Sequence, residues 1–186
     1  MNELLNYLSL IHPLSEELRQ YLASNLEWLA LPRKAFLLKQ GKICRNIYFI
    51  QKGLARCFYI KDDKEVSSWF MKEGDVIISV ESFFKQQPSY ESIQALEDCE
   101  LLCLNYDKLQ FIFHDFPEFN FVGRVLTEKY YTLSEQRLYS LRMQRANERY
   151  AFLMTHYPEL IQRVPSTFIA SYLGITLETL SRIKHL

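Results

Sequence analysis

The sequence predicts an α+β chain: an antiparallel sandwich of short strands framed by helices, then one long helix, then a small helical unit at the C-terminus. Three observations carry this. Between about residues 32 and 106, short β-type runs alternate with turn signals at a spacing of roughly 8–12 residues, the pattern of a sandwich or jelly roll. Past Pro117, apolar positions keep a mixed three-and-four spacing for about six turns. The stretch 164–186, VPSTFIASYLGITLETLSRIKHL, divides into two short amphipathic segments around Gly174.

Taken in order, residues 2–29 read as helix. Leu4, Leu5, Leu8 and Ile11, then Leu18, Leu22 and Leu26, fall at helical spacing around a break at Pro13, and Ser15 is placed to cap the second segment. Strand-like runs follow at 35–38, 47–51, 54–60, 66–71, 76–78, 92–96 and 101–104. Gly41, Lys52-Gly53, Lys61-Asp62-Asp63, Glu73-Gly74-Asp75 and Glu97-Asp98 separate them. The segment 82–89 is too polar at its end for a strand and reads as a helical turn and a loop. By alternation, the aromatic residues Tyr48, Phe49, Phe58, Tyr59, Trp69, Phe70, Phe83 and Phe84 fall mostly on the core side. A short helix is expected over 105–114 with Asn105 as cap, and another over 147–157.

In the terminal stretch, Ile169, Ala170 and Leu173 share one helical face, and Leu180 and Ile183 share the face of a second helix starting near Thr176. Gly174 can take the positive φ that ends the first helix. Thr176 can cap the next, with Thr179 in place of Glu at the capping-box position. Ala170 is small where the two helices would cross closely. Two short helices at a steep angle, joined by a short turn containing Gly, form a helix-turn-helix whose second helix enters the DNA major groove. An ordinary helical hairpin would satisfy the same spacing. The polar face favours the DNA reader: Thr176, Glu178, Thr179, Ser181, Arg182 and Lys184 are the residue types that reach base edges and phosphates.

The long segment bears on this. Phe121, Val122, Val125, Leu126, Lys129, Tyr130, Leu133, Arg137 and Leu141 form a stripe that needs a partner, either the chain's own sandwich or a second copy. A coiled-coil homodimer seam is favoured, because two-helix readers bind paired half-sites.

The 186 residues carry 22 Lys+Arg against 22 Asp+Glu, so net charge alone does not point to a nucleic acid. Its distribution does. From Arg137 onward, seven basic residues face three glutamates, which makes a basic C-terminal unit on an acidic body. With 48% hydrophobic residues the chain can build a core. The N-terminus lacks the basic start and apolar run of a signal peptide, and no apolar stretch is long enough to span a membrane, so a cytoplasmic protein is expected. Cys44, Cys57, Cys99 and Cys103 lie in strand-like stretches and read as buried, reduced thiols. No metal site is expected from them.

A helix, a jelly roll with an interrupting short helix, a long helix and then a helix-turn-helix: this order resembles the Crp/Fnr family of bacterial transcription regulators. The tail is most similar to a Bacteroidetes branch, through Arg149-Tyr150, Pro158-Glu159-Leu160, Arg163-Val164-Pro165, Ile169 to Thr176, and Glu178 to Ile183. Lys72-Glu73-Gly74-Asp75 adds to the match. The resemblance implies a cyclic-nucleotide-binding-type sensor domain over 1–116, a dimerisation helix over 117–140 and a DNA-binding helix-turn-helix domain over 141–186.

It also implies a ligand pocket at Val80, Glu81, Ser82, Glu91 and Ser92. The family's phosphate cassette carries a Gly-Glu pair opening a short helix and an Arg-Ser pair further on. Glu81 and Ser92 have the separation of its Glu and Ser, but Val80 stands where the Gly should be and Glu91 where the Arg should be. The Arg would neutralise a cyclic phosphate, whereas a carboxylate there adds repulsion on the order of a kcal/mol or more. Cyclic AMP binding in the family's usual way is therefore not expected. An unidentified small-molecule effector, or none, is expected instead, and no cofactor. An iron–sulfur centre of the Fnr type would need an N-terminal cysteine cluster, and no cysteine precedes Cys44.

In the reader helix, the family's base-contacting positions match Leu177, Glu178 and Arg182. Glu178 can accept from a cytosine amino group and Arg182 can clamp guanine, while Leu177 can only touch a thymine methyl. An enzyme of the cupin type would need histidines on strands. His12, His114, His156 and His185 all fall on expected helices or their ends, and no catalytic residue is expected. The competing reading is a small-molecule sensor that acts through protein partners without binding DNA.

Overall fold

The computed structural model describes residues 2–184. The expectation for His185 lies outside the described residues. Helix α1 (Asn2–Ile11) leads into α2 (Glu16–Asn25), where the Ser15 hydroxyl accepts the Leu18 N–H as N-cap. The same hydroxyl donates to the Glu118 carboxylate, tying this cap to the long helix.

Eight strands follow: β1 (Glu27–Leu31), β2 (Phe36–Leu38), β3 (Asn46–Lys52), β4 (Ala55–Lys61), β5 (Lys64–Met71), β6 (Val76–Ile77), β7 (Glu91–Ala95) and β8 (Cys99–Asn105). They form two four-stranded antiparallel sheets, ordered β1-β8-β3-β6 and β2-β7-β4-β5. Their inner faces meet on a core that includes Ile50, Ala55, Ile77, Ile93 and Leu101. The expected helix over 2–29 stops early. Leu26 turns extended, and residues from Glu27 on pair with β8, Trp28 opposite Leu102 and Leu31 opposite Cys99. Ladder pairing overrides the leucine spacing here, because β8 offers a row of backbone partners that helical propensity does not match. All four cysteines are buried free thiols, as expected.

Gly53 shows why a turn needs its residue. Its φ is +99°, and a Cβ there would sit 2.6 Å from the Asp98 carbonyl oxygen. The interrupting helix α3 (Val80–Lys85) ends at Gln86 in the left-handed region. Of the aromatics expected in the core, Phe84 on this helix is instead half-exposed.

Helix α4 (Tyr106–Asp115) is capped by the Asn105 side chain, which accepts the Asp107 N–H. Helix α5 (Pro117–Met143) has 27 residues, a rod of about 40 Å, and runs three residues past the expected end at 140. Its first half lies on the sandwich. Phe119 and Val122 are buried, and the Tyr130 hydroxyl accepts the Val76 N–H at 2.7 Å. Four helices complete the chain: α6 (Ala146–His156), α7 (Pro158–Arg163), α8 (Ser166–Leu173) and α9 (Leu177–Lys184). They enclose a second core of Tyr150, Leu153, Leu160, Ile169, Ala170, Leu173 and Leu180, which Leu54, Phe70 and Leu96 of the sandwich extend. Among the described residues, no helix is long and apolar enough to cross a membrane.

Candidate functional site

Two places inherit the sequence expectations: the region around α3 and the surface of α9. At α3 the five expected pocket residues lie on the helix itself and at the start of β7. Val80 is 60% exposed. The Glu81 carboxylate turns to the surface and pairs with Lys85 at 2.7 Å, which lowers its pKa. The Ser82 hydroxyl is buried, accepts the Cys44 N–H at 2.9 Å and donates to the Gln87 carbonyl. Ser92 accepts the Gln40 N–H at 3.0 Å. These groups stitch their own loops together.

Glu91 is buried, 7% exposed, and pairs with no cation among the described residues. Burial pushes its pKa up, while the hydroxyls of Ser79 and Tyr59 beside it pull the other way. Tyr59 is pushed up to about 12, by burial first and then by the Glu91 charge. Burial here disfavours the charged form of Glu91 itself.

The α8–α9 pair is built as its residues suggest. Gly174 has φ +67°, and its N–H returns to the Ser171 carbonyl. The Thr176 hydroxyl accepts the Thr179 N–H at 3.2 Å and so caps α9. Ala170 and Leu180 are buried at the crossing. Thr176, Leu177, Glu178, Ser181, Arg182 and Lys184 are all exposed, and Thr179 is half-buried. The Arg182 guanidinium donates to the Thr179 hydroxyl, and the Lys184 ammonium to the Ser166 hydroxyl. Neither cation has a carboxylate within ion-pair distance among the described residues. An open groove beside them is lined by Arg145, Asn147 and Arg182. Sequence reasoning missed Arg145 and Asn147 because α6 begins thirty residues before α9 and only folding brings its first turn alongside.

The helical module is also anchored to the sandwich. Strand β5 is a sheet edge, and α8 covers it: the Ser171 hydroxyl accepts the Ser67 N–H at 3.0 Å and donates to the Glu65 carbonyl at 3.1 Å, standing in for a neighbouring strand. Arg56 on β4, 1% exposed, pairs with Glu65 and lies between the rings of Phe58 and Phe168, at 4.2 and 3.6 Å from their centroids. Arg163 donates to Glu73 and Glu97 through four contacts of 2.6–2.9 Å. Lys72 and Glu159 pair at 3.3 Å close by.

The fold is a β-sandwich joined by one long helix to a small helical module. Residues 28–116 match the family of the cyclic nucleotide-binding domain, and the structural neighbours of the chain are Crp/Fnr-type transcription regulators, whose fold it shares. CLP of Xanthomonas campestris, described as a c-di-GMP-responsive global regulator, is 16% identical with a TM-score of 0.72, covering 92% of this chain and 90% of its own. The catabolite activator protein of Thermus thermophilus is 21% identical with a TM-score of 0.59, covering 95% and 84%. FixK2 of Bradyrhizobium japonicum is 19% identical with a TM-score of 0.69, covering 86% and 83%. No curated protein matches the sequence.

Proposed function

We propose that this chain is a DNA-binding transcription regulator of the Crp/Fnr type, in which α8 and α9 form a helix-turn-helix and α9 reads the major groove. One observation carries the reading. A capped helix follows a left-handed glycine turn and presents Glu178, Ser181, Arg182 and Lys184 to solvent, with neither cation in an ion pair among the described residues. In this reading Arg182 clamps guanine, Glu178 accepts from cytosine, and Lys184 and Arg145 meet phosphates, which their exposure supports. The basic balance of residues 137–186 supplies the backbone affinity.

The regulator works as a homodimer through α5, but its seam lies one step around the helix from the stripe the sequence suggests. Val122, Leu126, Tyr130 and Arg137 are engaged with the chain's own sandwich and module. The face left open is Thr127, Tyr131, Ser134 and Leu138, a four-three-four repeat with Tyr131 66% and Leu138 41% exposed. The α3 region does not hold a cyclic nucleotide in the family's way, since Glu91 replaces the phosphate-binding Arg and the nearby hydroxyls serve their own backbone.

Selection of the purified protein on a random duplex pool tests this. The expected result is an enriched palindrome with half-sites about one helical turn apart. Cyclic AMP is expected to leave the selection unchanged, and micromolar cyclic AMP binding would overturn the reading of the α3 region. Failure to enrich any duplex would favour a sensor acting through protein partners.

A further inference from the structure

We propose that the cleft between β5, the second half of α5 and the α6–α8 module is a binding site for a small planar organic anion. The cleft is separate from the α3 region: none of Val80, Glu81, Ser82, Glu91 or Ser92 lines it. Its volume is about 740 Å³, the size of a small-molecule site, and it lies at a junction of two structural units, where such sites concentrate.

The charges in the cleft say which molecule fits. Four cations line it, Lys72, Lys129, Arg137 and Arg149, against two carboxylates, Asp75 and Glu135, and Lys72 is already paired with Glu159. The two arginines stand apart from the others that join the module to the sandwich. Arg56 has Glu65 and Arg163 has Glu73 and Glu97, whereas among the described residues neither Arg137 nor Arg149 has a carboxylate within ion-pair distance. Arg137 reaches the Tyr172 carbonyl and lies on the Tyr172 ring, 3.6 Å from its centroid. Arg149 donates to the Leu173 carbonyl at 2.9 Å and to the Gln144 carbonyl at 2.5 Å. These carbonyls lie at the C-terminal ends of α8 and α5, whose dipoles each supply about half a negative charge. The two guanidiniums are therefore offset only in part. Burial lowers the pKa of Arg137, and the neighbouring Arg149 charge adds to that. A carboxylate or phosphate resolves this, because a guanidinium fork takes two oxygens at once. The aromatic walls, Trp69, Tyr130, Phe152 and Tyr157, suit a flat apolar body behind the anionic group.

Position gives such a ligand a consequence. Arg137 and Arg149 hold the end of α8, one turn before the proposed reading helix. An anion that draws either guanidinium off its carbonyl changes the footing of α8 and α9. This consequence rests on the DNA-binding reading above, but occupancy of the cleft does not. The cleft also opens on a different face of α5 from the proposed seam, so a dimer leaves it accessible.

Fluorescence titration of the full-length protein with anilinonaphthalene sulfonate, without DNA, tests occupancy directly. The expected result is one saturable site, weakened about tenfold or more in Arg137→Gln, the scale of one charged hydrogen bond. Because Arg137 also supports α8, Gln136→Glu on the exposed cleft wall provides a second variant; it should weaken the sulfonate and leave uncharged phenylnaphthylamine unaffected. A site that ignores both variants, or that holds the uncharged analogue equally well and with the same response, would overturn the proposal. So would loss of probe binding as protein concentration rises, which would place a second copy of the chain in the cleft. Failure of duplex selection with intact probe binding would reject DNA reading and leave the site standing.

Discussion

Arg163→Gln removes the centre of the clasp between module and sandwich, and its effect can be worked from the geometry. The guanidinium meets Glu73 and Glu97, and Glu73 Oε1 also accepts the Gly53 N–H at 2.8 Å. The hydrogen bond from Arg163 is the largest cause that lowers the Glu73 pKa from the ordinary 4.5 to about 2. At about 1.36 kcal/mol per pH unit, that depression corresponds to at most about 3.4 kcal/mol. The Glu73 side chain is 41% exposed, so solvent screening reduces the expected loss to about 1–2 kcal/mol at neutral pH. The sign follows from linkage. A carboxylate with a depressed folded pKa stabilises the protein above its unfolded pKa and loses that contribution as pH falls through its folded one. The window therefore runs from about pH 4.5 down to about pH 2. Urea unfolding followed by circular dichroism, for wild type and Arg163→Gln from pH 7 to pH 3, is the assay. The difference should be largest at pH 7 and more than half gone by pH 3. A difference that is absent at pH 7, or unchanged at pH 3, would refute the reasoning.

Three further outcomes follow from the same structure. Gly53→Ala places a Cβ against the Asp98 carbonyl at a positive φ and should cost about 2–3 kcal/mol, read as a fall in the urea midpoint with an unchanged slope. Glu91→Gln removes a buried carboxylate whose pKa is raised, so it should raise the melting temperature at neutral pH. That gain should shrink as pH falls toward the ordinary carboxylate range, where Glu91 is protonated in both states. Leu138→Glu puts a charge in the proposed α5 seam and should shift sedimentation from dimer to monomer without lowering the unfolding midpoint of the sandwich.

What the sequence makes legible is local. The strand runs between Gly and Asp punctuation, the Asn105 cap, the Gly174 turn and the buried cysteines all depend on neighbours within a few residues, and they stand where the pattern places them. What it hides depends on distant partners. Residues 27–29 continue the run expected to be helical and instead open a strand, because β8, some seventy residues later, supplies its ladder. Helix α7 has six residues, too short for a periodic signal. The face that α5 turns inward was set by Val76 and Tyr172, which no stripe on the helix records. The same holds for the candidate site. The exposed residues of α9 could be named from their own helix, whereas Arg145 and Asn147 could not. At α3, Glu91 was visible as a departure from the family pattern, but the inward use of Ser82 and Ser92 was not.

The central claim is that α9 reads base pairs, and Arg182→Ala tests it most directly. Fluorescence anisotropy would compare wild type and the variant on the selected duplex and on a scrambled one, across a salt series. The account predicts that Arg182→Ala weakens the selected duplex by about ten- to a hundredfold while the scrambled duplex changes little. Equal affinity of the wild type for the two duplexes, or an equal loss on both in the variant, would contradict it.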